Sequence, residues 1–272
     1  MRTALAYEWQ RITTVRSTYW FSAMAVVVSG MTAFFIALAF RASDLTADGV
    51  STFFQASTLV VTAAGSVFIA PVVSAPFCAV IGAMSFGHEY RYGTIKQTLT
   101  AIPDRVVMFF AKLVILVGWL LTLMLVIVVV NMAMGGLFLD GFSLSQEALR
   151  PIVDFALYNV GWGIAGFGLA ALFRNLAGAL VGVLVYPLVI EAIGYNILRL
   201  VKVGTLDRLA NLFPASAGRR TIFSPYERFA NPSSSSDTTL HVWGLAASTA
   251  VFWCGLLLLT ATALALFLAR DA

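Results

Sequence analysis

Residues 49–88 contain no Asp, Glu, Lys or Arg, and residues 113–139 are again free of charge. Stretches this long and this apolar have few places to go. A helix that crosses the hydrocarbon core of a bilayer needs about 20 apolar residues. Lipid cannot satisfy backbone N–H and C=O groups, so a spanning segment must be a helix or part of a closed barrel. The rest of the chain agrees. Of its 272 residues, 60% are hydrophobic and 11% charged, against about 25% charged in a soluble domain. The expected fold class is all-α integral membrane, with residues 1–272 as a single transmembrane domain.

Six runs are long enough to span: residues 19–40, 53–86, 112–138, 152–173, 176–197 and 241–268. The second, as one helix, would be about 51 Å long. Pro71 and Pro76 would kink it, so one long bent span with a protruding outer end is expected. Lys and Arg in short loops set the orientation. With the N-terminus inside, the inner segments hold Arg2, Arg11, Arg16, Arg91, Lys96, Arg105, Lys112, Arg174 and Arg270, against Glu8, Glu89, Asp104 and Asp271. The short outer loops hold only Arg41 and Arg150. Both termini are therefore expected on the cytoplasmic side. The first residues lack the layout of a signal peptide. Instead Leu5, Trp9, Ile12 and Val15 recur at helical spacing, which predicts an interfacial helix over residues 1–18 lying on the inner leaflet.

Several classes of chemistry are excluded. Residues Gly161, Gly163, Gly166 and Gly168 spell a dinucleotide fingerprint. That motif needs a strand before it and a soluble sheet around it. Mid-span, small residues at this spacing predict close helix packing. His88 and His241 have no Cys or His companions, so no metal site is expected. No catalytic constellation and no phosphate-binding G-x-x-x-x-G-K-[ST] loop occurs. No basic patch interleaved with aromatics suggests nucleic acid. Cys78 and Cys254 lie in apolar runs and read as packing residues.

Two polar features stand out. The first is the hairpin over residues 87–105. Tyr92, Ile95, Leu99 and Ile102 make one helical face, with Arg91, Lys96, Gln97 and Thr98 off it. Such a stripe wants a partner surface, either the lipid interface or another protein. Pro103 breaks the helix, and Asp104 is placed to cap the next. Gly93 is expected to be tightly packed or left-handed. Glu89 is expected to hold the hairpin through hydrogen bonds or an ion pair, and Lys112 to snorkel toward the interface. The second feature is Glu191, an acid in an apolar run, with Tyr186 and Tyr195 within reach. Either it anchors the outer helices or it lines a pathway. Beyond it, residues 198–240 carry Leu200, Val203, Leu206, Leu209, Leu212 and Phe213 in an amphipathic pattern that Pro214 ends. Residues 231–239 form a polar linker.

The stretch EYRYGTIKQTLTAIPDRVVMFFAKLV resembles the signature of type-2 permease subunits of ATP-binding cassette (ABC) exporters. Glu89, Arg91, Gly93, Thr94 and Ile95 match its E-x-R-x-G-T-[IL] part, and Ala111-Lys112 its end. The turn at Pro103, Asp104 and Arg105 is less basic than is usual there. The resemblance extends to six spans, an N-terminal interfacial helix, an acid in the fifth span and a late L-F-P-A-S-A-G-R segment. It implies a permease that pairs with a second copy and docks on two cytosolic ATPase subunits. ATP and Mg would be bound there, with no cofactor on this chain. It implies that Glu89, Tyr90, Arg91, Tyr92, Gly93, Thr94, Ile95, Lys96 and Leu99 form the ATPase-coupling helix. Glu191, Tyr195, Phe213 and Pro214 would belong to the pathway or to a re-entrant outer gate. The expected location is a bacterial plasma membrane, among membrane lipids, and the expected cargo is hydrophobic or amphipathic. The alternatives are a proton-coupled secondary transporter built on Glu191, or a non-transporting membrane scaffold.

Overall fold

The computed structural model describes residues 1–42, 60–62, 73–139, 142, 144, 146–191, 193–194, 197, 212–230 and 244–269. Among them the regular structure is entirely helical. Helix α1 (Arg2–Thr14) ends where Val15 adopts an extended backbone, and α2 (Arg16–Ala42) follows at once. Helix α3 (Ala75–Tyr92) starts behind Ser74 with Pro76 in its first turn and ends at Gly93, whose φ is 67°. This is the left-handed cap that glycine adopts without steric penalty. The short helix α4 (Ile95–Ala101) and α5 (Arg105–Phe138) complete the hairpin. As its type and position predict, Asp104 caps α5, accepting from the N–H groups of Val106 and Val107 at 3.0 and 3.1 Å.

Helix α6 (Gln146–Phe173) turns into α7 (Leu176–Val185) through Arg174, with φ 53°, and Asn175, whose side chain caps α7. A π-helical segment, Tyr186–Glu191, continues α7. Pro187 lies within it and has no N–H to offer the preceding turn, a defect that a widened turn accommodates. Helices α8 (Pro214–Ala230) and α9 (Leu245–Ala269) follow.

Among the described residues four helices are long and apolar enough to cross a membrane: Arg16–Arg41, Arg105–Phe138, Leu149–Phe173 and Leu245–Ala269. The second and fifth expected spans correspond to α3 and to α7 with its π-segment, and parts of both lie outside the described residues. Several boundaries differ from expectation. Helix α3 runs on to Tyr92 instead of stopping at Phe86, so the hairpin is narrower than residues 87–105. Pro214 opens a helix as well as ending a run, since its fixed φ suits a first helical position. The expected helices over 198–211, the polar linker and Tyr195 lie outside the described residues.

Helix α3 packs most extensively against α6, and the glycine fingerprint explains why. A Cβ on Gly166 would overlap the carbonyl oxygen of Ala79, and one on Gly82 would overlap that of Gly163. Gly161 and Gly168 instead face α9, at Phe252, Leu256 and Leu259. Gly163 also faces Leu120 of α5, so the four glycines serve close packing against three helices. Gly118 has open space around its missing Cβ. Gly166→Ala should therefore destabilise by about 1–3 kcal/mol. Gly118→Ala should be neutral or slightly stabilising, because alanine is the better helix former. Thermal midpoints in one detergent check the contrast, and equal midpoints would sink the packing argument.

Buried amides tie the spans together. Asn131, fully buried, donates to Ser29 Oγ at 3.0 Å and to the Val61 carbonyl at 2.8 Å. Asn159 accepts from Ser74 Oγ at 2.8 Å and donates to the Phe155 carbonyl. These asparagines, scattered in the sequence, are interhelical bonds. The outward faces are apolar. On α2 they include Trp20, Met24, Val27, Met31 and Phe35, a surface suited to lipid.

Candidate functional site

The base of the hairpin is held by a buried ion cluster. Lys112 Nζ lies 2.6 Å from Glu8 Oε1 and 2.5 Å from Glu89 Oε1. Arg11 Nε donates to Glu8 Oε2 at 2.8 Å, and Arg11 Nη1 lies 3.2 Å from Glu89 Oε1. Arg11 Nη2 also donates to the Ser85 carbonyl at 2.6 Å. Two acids and two bases thus balance, and Glu8, Glu89 and Lys112 are each 3% exposed or less. An unpaired charge in such a place would be prohibitive. The aromatic floor of Phe86, Phe109, Phe167 and Phe267 lies beside it, with Lys112 Nζ 5.5 Å from the Phe86 ring centroid.

The cluster joins three elements: α1 through Glu8 and Arg11, α3 through Glu89 and α5 through Lys112. The two helices that flank α4 are therefore pinned to each other and to α1. Lys112 does not snorkel. It is buried because two carboxylates reach it from neighbouring helices. The apolar stripe of α1, expected to lie on the inner leaflet, divides between the protein and the outside. Ala4, Glu8 and Ile12 face the protein, and Trp9 is exposed, its ring edge-on to Trp119. Sequence reasoning missed Glu8 and Arg11 as partners. The available signal was that a lysine inside an apolar run demands a counter-charge.

The hairpin residues divide between two roles. Ile95 is 7% exposed and belongs to the chain's own core, with Tyr90, Leu99 and Ile102 packed against it. The stripe thus finds most of its partner surface within this chain. Tyr92, at its start, is 68% exposed, and Arg91, Gly93 and Lys96 share that outer side, with Thr94 half-buried. Gly93 has nothing within 4 Å of its missing Cβ. Its left-handed turn, and not tight packing, requires glycine. Burial holds the His88 imidazole below its usual range, with Arg11 and Arg91 adding to the effect. Burial pushes the Tyr90 phenol up, opposed by the Arg174 guanidinium, which lies 5.9 Å from the ring centroid.

At the far end of the chain's fifth apolar run, Glu191 is fully buried. Its Oε1 accepts from Ala215 N at 2.9 Å, and its Oε2 accepts from Ser216 N at 2.8 Å and Ser216 Oγ at 3.1 Å. The carboxylate therefore caps α8 from a distant segment, where free N–H groups and the helix dipole favour negative charge. A Cβ on Gly194 would lie 2.9 Å from Phe213 Cζ, and one on Gly255 would lie 3.0 Å from Pro214 Cγ. Glu191, Phe213 and Pro214 are thus brought together, with Phe213 half-buried beside the α8 start.

The chain matches none of the curated proteins with which it was compared. The profile described as "ABC-2 family transporter protein" matches residues 5–191, a region that includes the ion cluster, the hairpin and Glu191. With its apolar spans and a match over more than half its length, the chain is a multi-pass membrane protein that belongs to the ABC-2 transporter permease family.

Proposed function

We propose that this permease is the membrane half of an ATP-driven exporter of hydrophobic or amphipathic cargo, working as a pair of copies on two cytosolic ATPase subunits. ATP and Mg act on the partner chain, and this chain is a transport subunit, not an enzyme. The hairpin is the coupling helix, and it lies with both termini on the cytoplasmic side of a bacterial plasma membrane. Six spans and a re-entrant outer gate opened by Pro214 complete the architecture.

The observation that carries this reading is the pinning of α4. A force applied to α4 reaches α3 and α5 through the Glu8, Arg11, Glu89 and Lys112 cluster without first being absorbed by a flexible loop. In this arrangement Arg91, Tyr92, Gly93, Thr94 and Lys96 meet the ATPase. Glu89, Tyr90, Ile95 and Leu99 hold them in place from inside. The proton-coupled alternative has less support, because both Glu191 oxygens are engaged by donors of α8. Tyr195 remains a gate candidate on sequence grounds alone.

Affinity purification of the full chain from its native membrane should bring down a P-loop ATPase. Tyr92→Asp and Lys96→Glu should each weaken that association by about tenfold, since exposed aromatics and charges dominate such contacts. Ile95→Asp is a poor probe, because it would disturb this chain's own core. A chain that purifies with no nucleotide-hydrolysing partner removes the reading. Undiminished ATPase capture by both surface variants removes the role of the hairpin.

A further inference from the structure

Beside the hairpin, an open cleft of about 470 Å³ lies between the end of α3 and the turn from α6 to α7. Tyr90 and Arg91 form one wall, Arg174 and Asn175 the turn, and Leu176 and Leu180 the wall toward α7. Among the described residues no carboxylate lines it. The Arg174 guanidinium is stacked near the Tyr90 ring, and the left-handed backbone at Arg174 directs the chain sharply around this corner. Arg91 is exposed on the other side. Two guanidiniums thus border one small space, an arrangement that favours a phosphate.

The cleft does not end in water on all sides. Ala177, Val181 and Val185 are exposed at four-residue intervals along α7, with Val181 60% and Val185 42% exposed. An apolar strip therefore leads away from the cationic cleft along a helix of the membrane domain. A free anion would have no use for that strip. A phospholipid matches both parts.

We infer that this cleft binds the phosphate of an anionic phospholipid, with an acyl chain lying along the Ala177, Val181 and Val185 face. Arg91 and Arg174 supply charge-assisted hydrogen bonds, and the strip supplies apolar contact. Arg91 also belongs to the surface proposed to meet the ATPase, so lipid retention and ATPase capture are read as separate outcomes.

The test uses the full chain, purified in a neutral detergent and exposed to mixed micelles containing phosphatidylglycerol or phosphatidylcholine. Native mass spectrometry counts retained lipid. Wild type should retain phosphatidylglycerol in preference to phosphatidylcholine. Retention should fall by more than about tenfold in the Arg91→Gln/Arg174→Gln double variant, since the loss of each charge-assisted hydrogen bond is worth about tenfold. Arg91→Gln alone, at an exposed position, should reduce retention without moving the thermal midpoint. Val181→Asn should also reduce it, and excess inorganic phosphate should not displace the lipid. Equal retention by wild type and both arginine variants overturns the inference. Displacement by inorganic phosphate, with no effect of Val181→Asn, overturns it in favour of a free-phosphate site. Unchanged lipid retention with loss of a co-purifying ATPase overturns it in favour of a protein contact.

Discussion

Lys112→Met is expected to be among the most damaging single substitutions in this chain, lowering stability by about 3–5 kcal/mol. Methionine fills similar volume, so the loss is electrostatic and not a cavity. It leaves Glu8 and Glu89, both buried, sharing only Arg11. Two carboxylates with one cation in a low-dielectric site repel each other and force a proton onto one of them or water into the site. The second substitution that separates this mechanism from general disruption is Glu89→Gln. Added to Lys112→Met, it removes the surplus negative charge and should recover part of the lost thermal midpoint. Alone, it should be destabilising, because Lys112 and Arg11 then face a single carboxylate. That sign change between backgrounds is the signature of a charge-balanced cluster. If Lys112→Met melts like wild type, or if Glu89→Gln makes it worse, the cluster does not hold the hairpin.

Four of the six expected spans and the helix break at the hairpin were legible in the sequence for a simple reason. Charge exclusion over 20 or more residues is a one-dimensional signal, and so are Pro103 and Asp104 between two helices. The capping role of Asp104 needs only its own neighbours. The glycine fingerprint could likewise be dismissed as a nucleotide site, because its setting was wrong for one. What one dimension does not contain is which helix face meets which. Ile95 and Tyr92 share a stripe in the sequence, yet the core takes the first and leaves the second outside. Glu8 and Lys112 are 104 residues apart in the chain and 2.6 Å apart in the fold. Local pattern gave Lys112 the reading of a residue stretching to the interface, because its partners belong to other helices. Tyr186 and Tyr195 were the sequence neighbours offered to Glu191. Tyr186 does reach Glu191, but the backbone donors that hold it come from Ala215 and Ser216, beyond a long intervening segment.

Glu191→Ala should release the start of α8. The substitution strands the N–H groups of Ala215 and Ser216, which lie in buried surroundings, at about 1–3 kcal/mol for each donor left without an acceptor. Glu191→Gln is informative because it keeps the shape. An amide has one carbonyl oxygen where the carboxylate has two, so it can serve Ala215 N or Ser216 N but turns an NH₂ group toward the other. It also removes the negative charge that favours this position at a helix N-terminus. Gln should therefore be intermediate, not silent. Ser216→Ala, which removes only the hydroxyl contact of 3.1 Å, should be mildest. The expected order of thermal midpoints is wild type, Ser216→Ala, Glu191→Gln, Glu191→Ala. Limited proteolysis after α8 should follow the same order if the helix start is what loosens. A residue that worked only as a pathway acid would behave differently: Ala would fold as wild type and fail in transport alone. Wild-type midpoints and proteolysis for both Glu191 variants would rule out the anchor, whatever happens to transport. The anchor also explains why an acid is tolerated in this apolar run at all. Its charge is met by two backbone donors and a hydroxyl, so the usual penalty for an intramembrane carboxylate is largely offset where it stands.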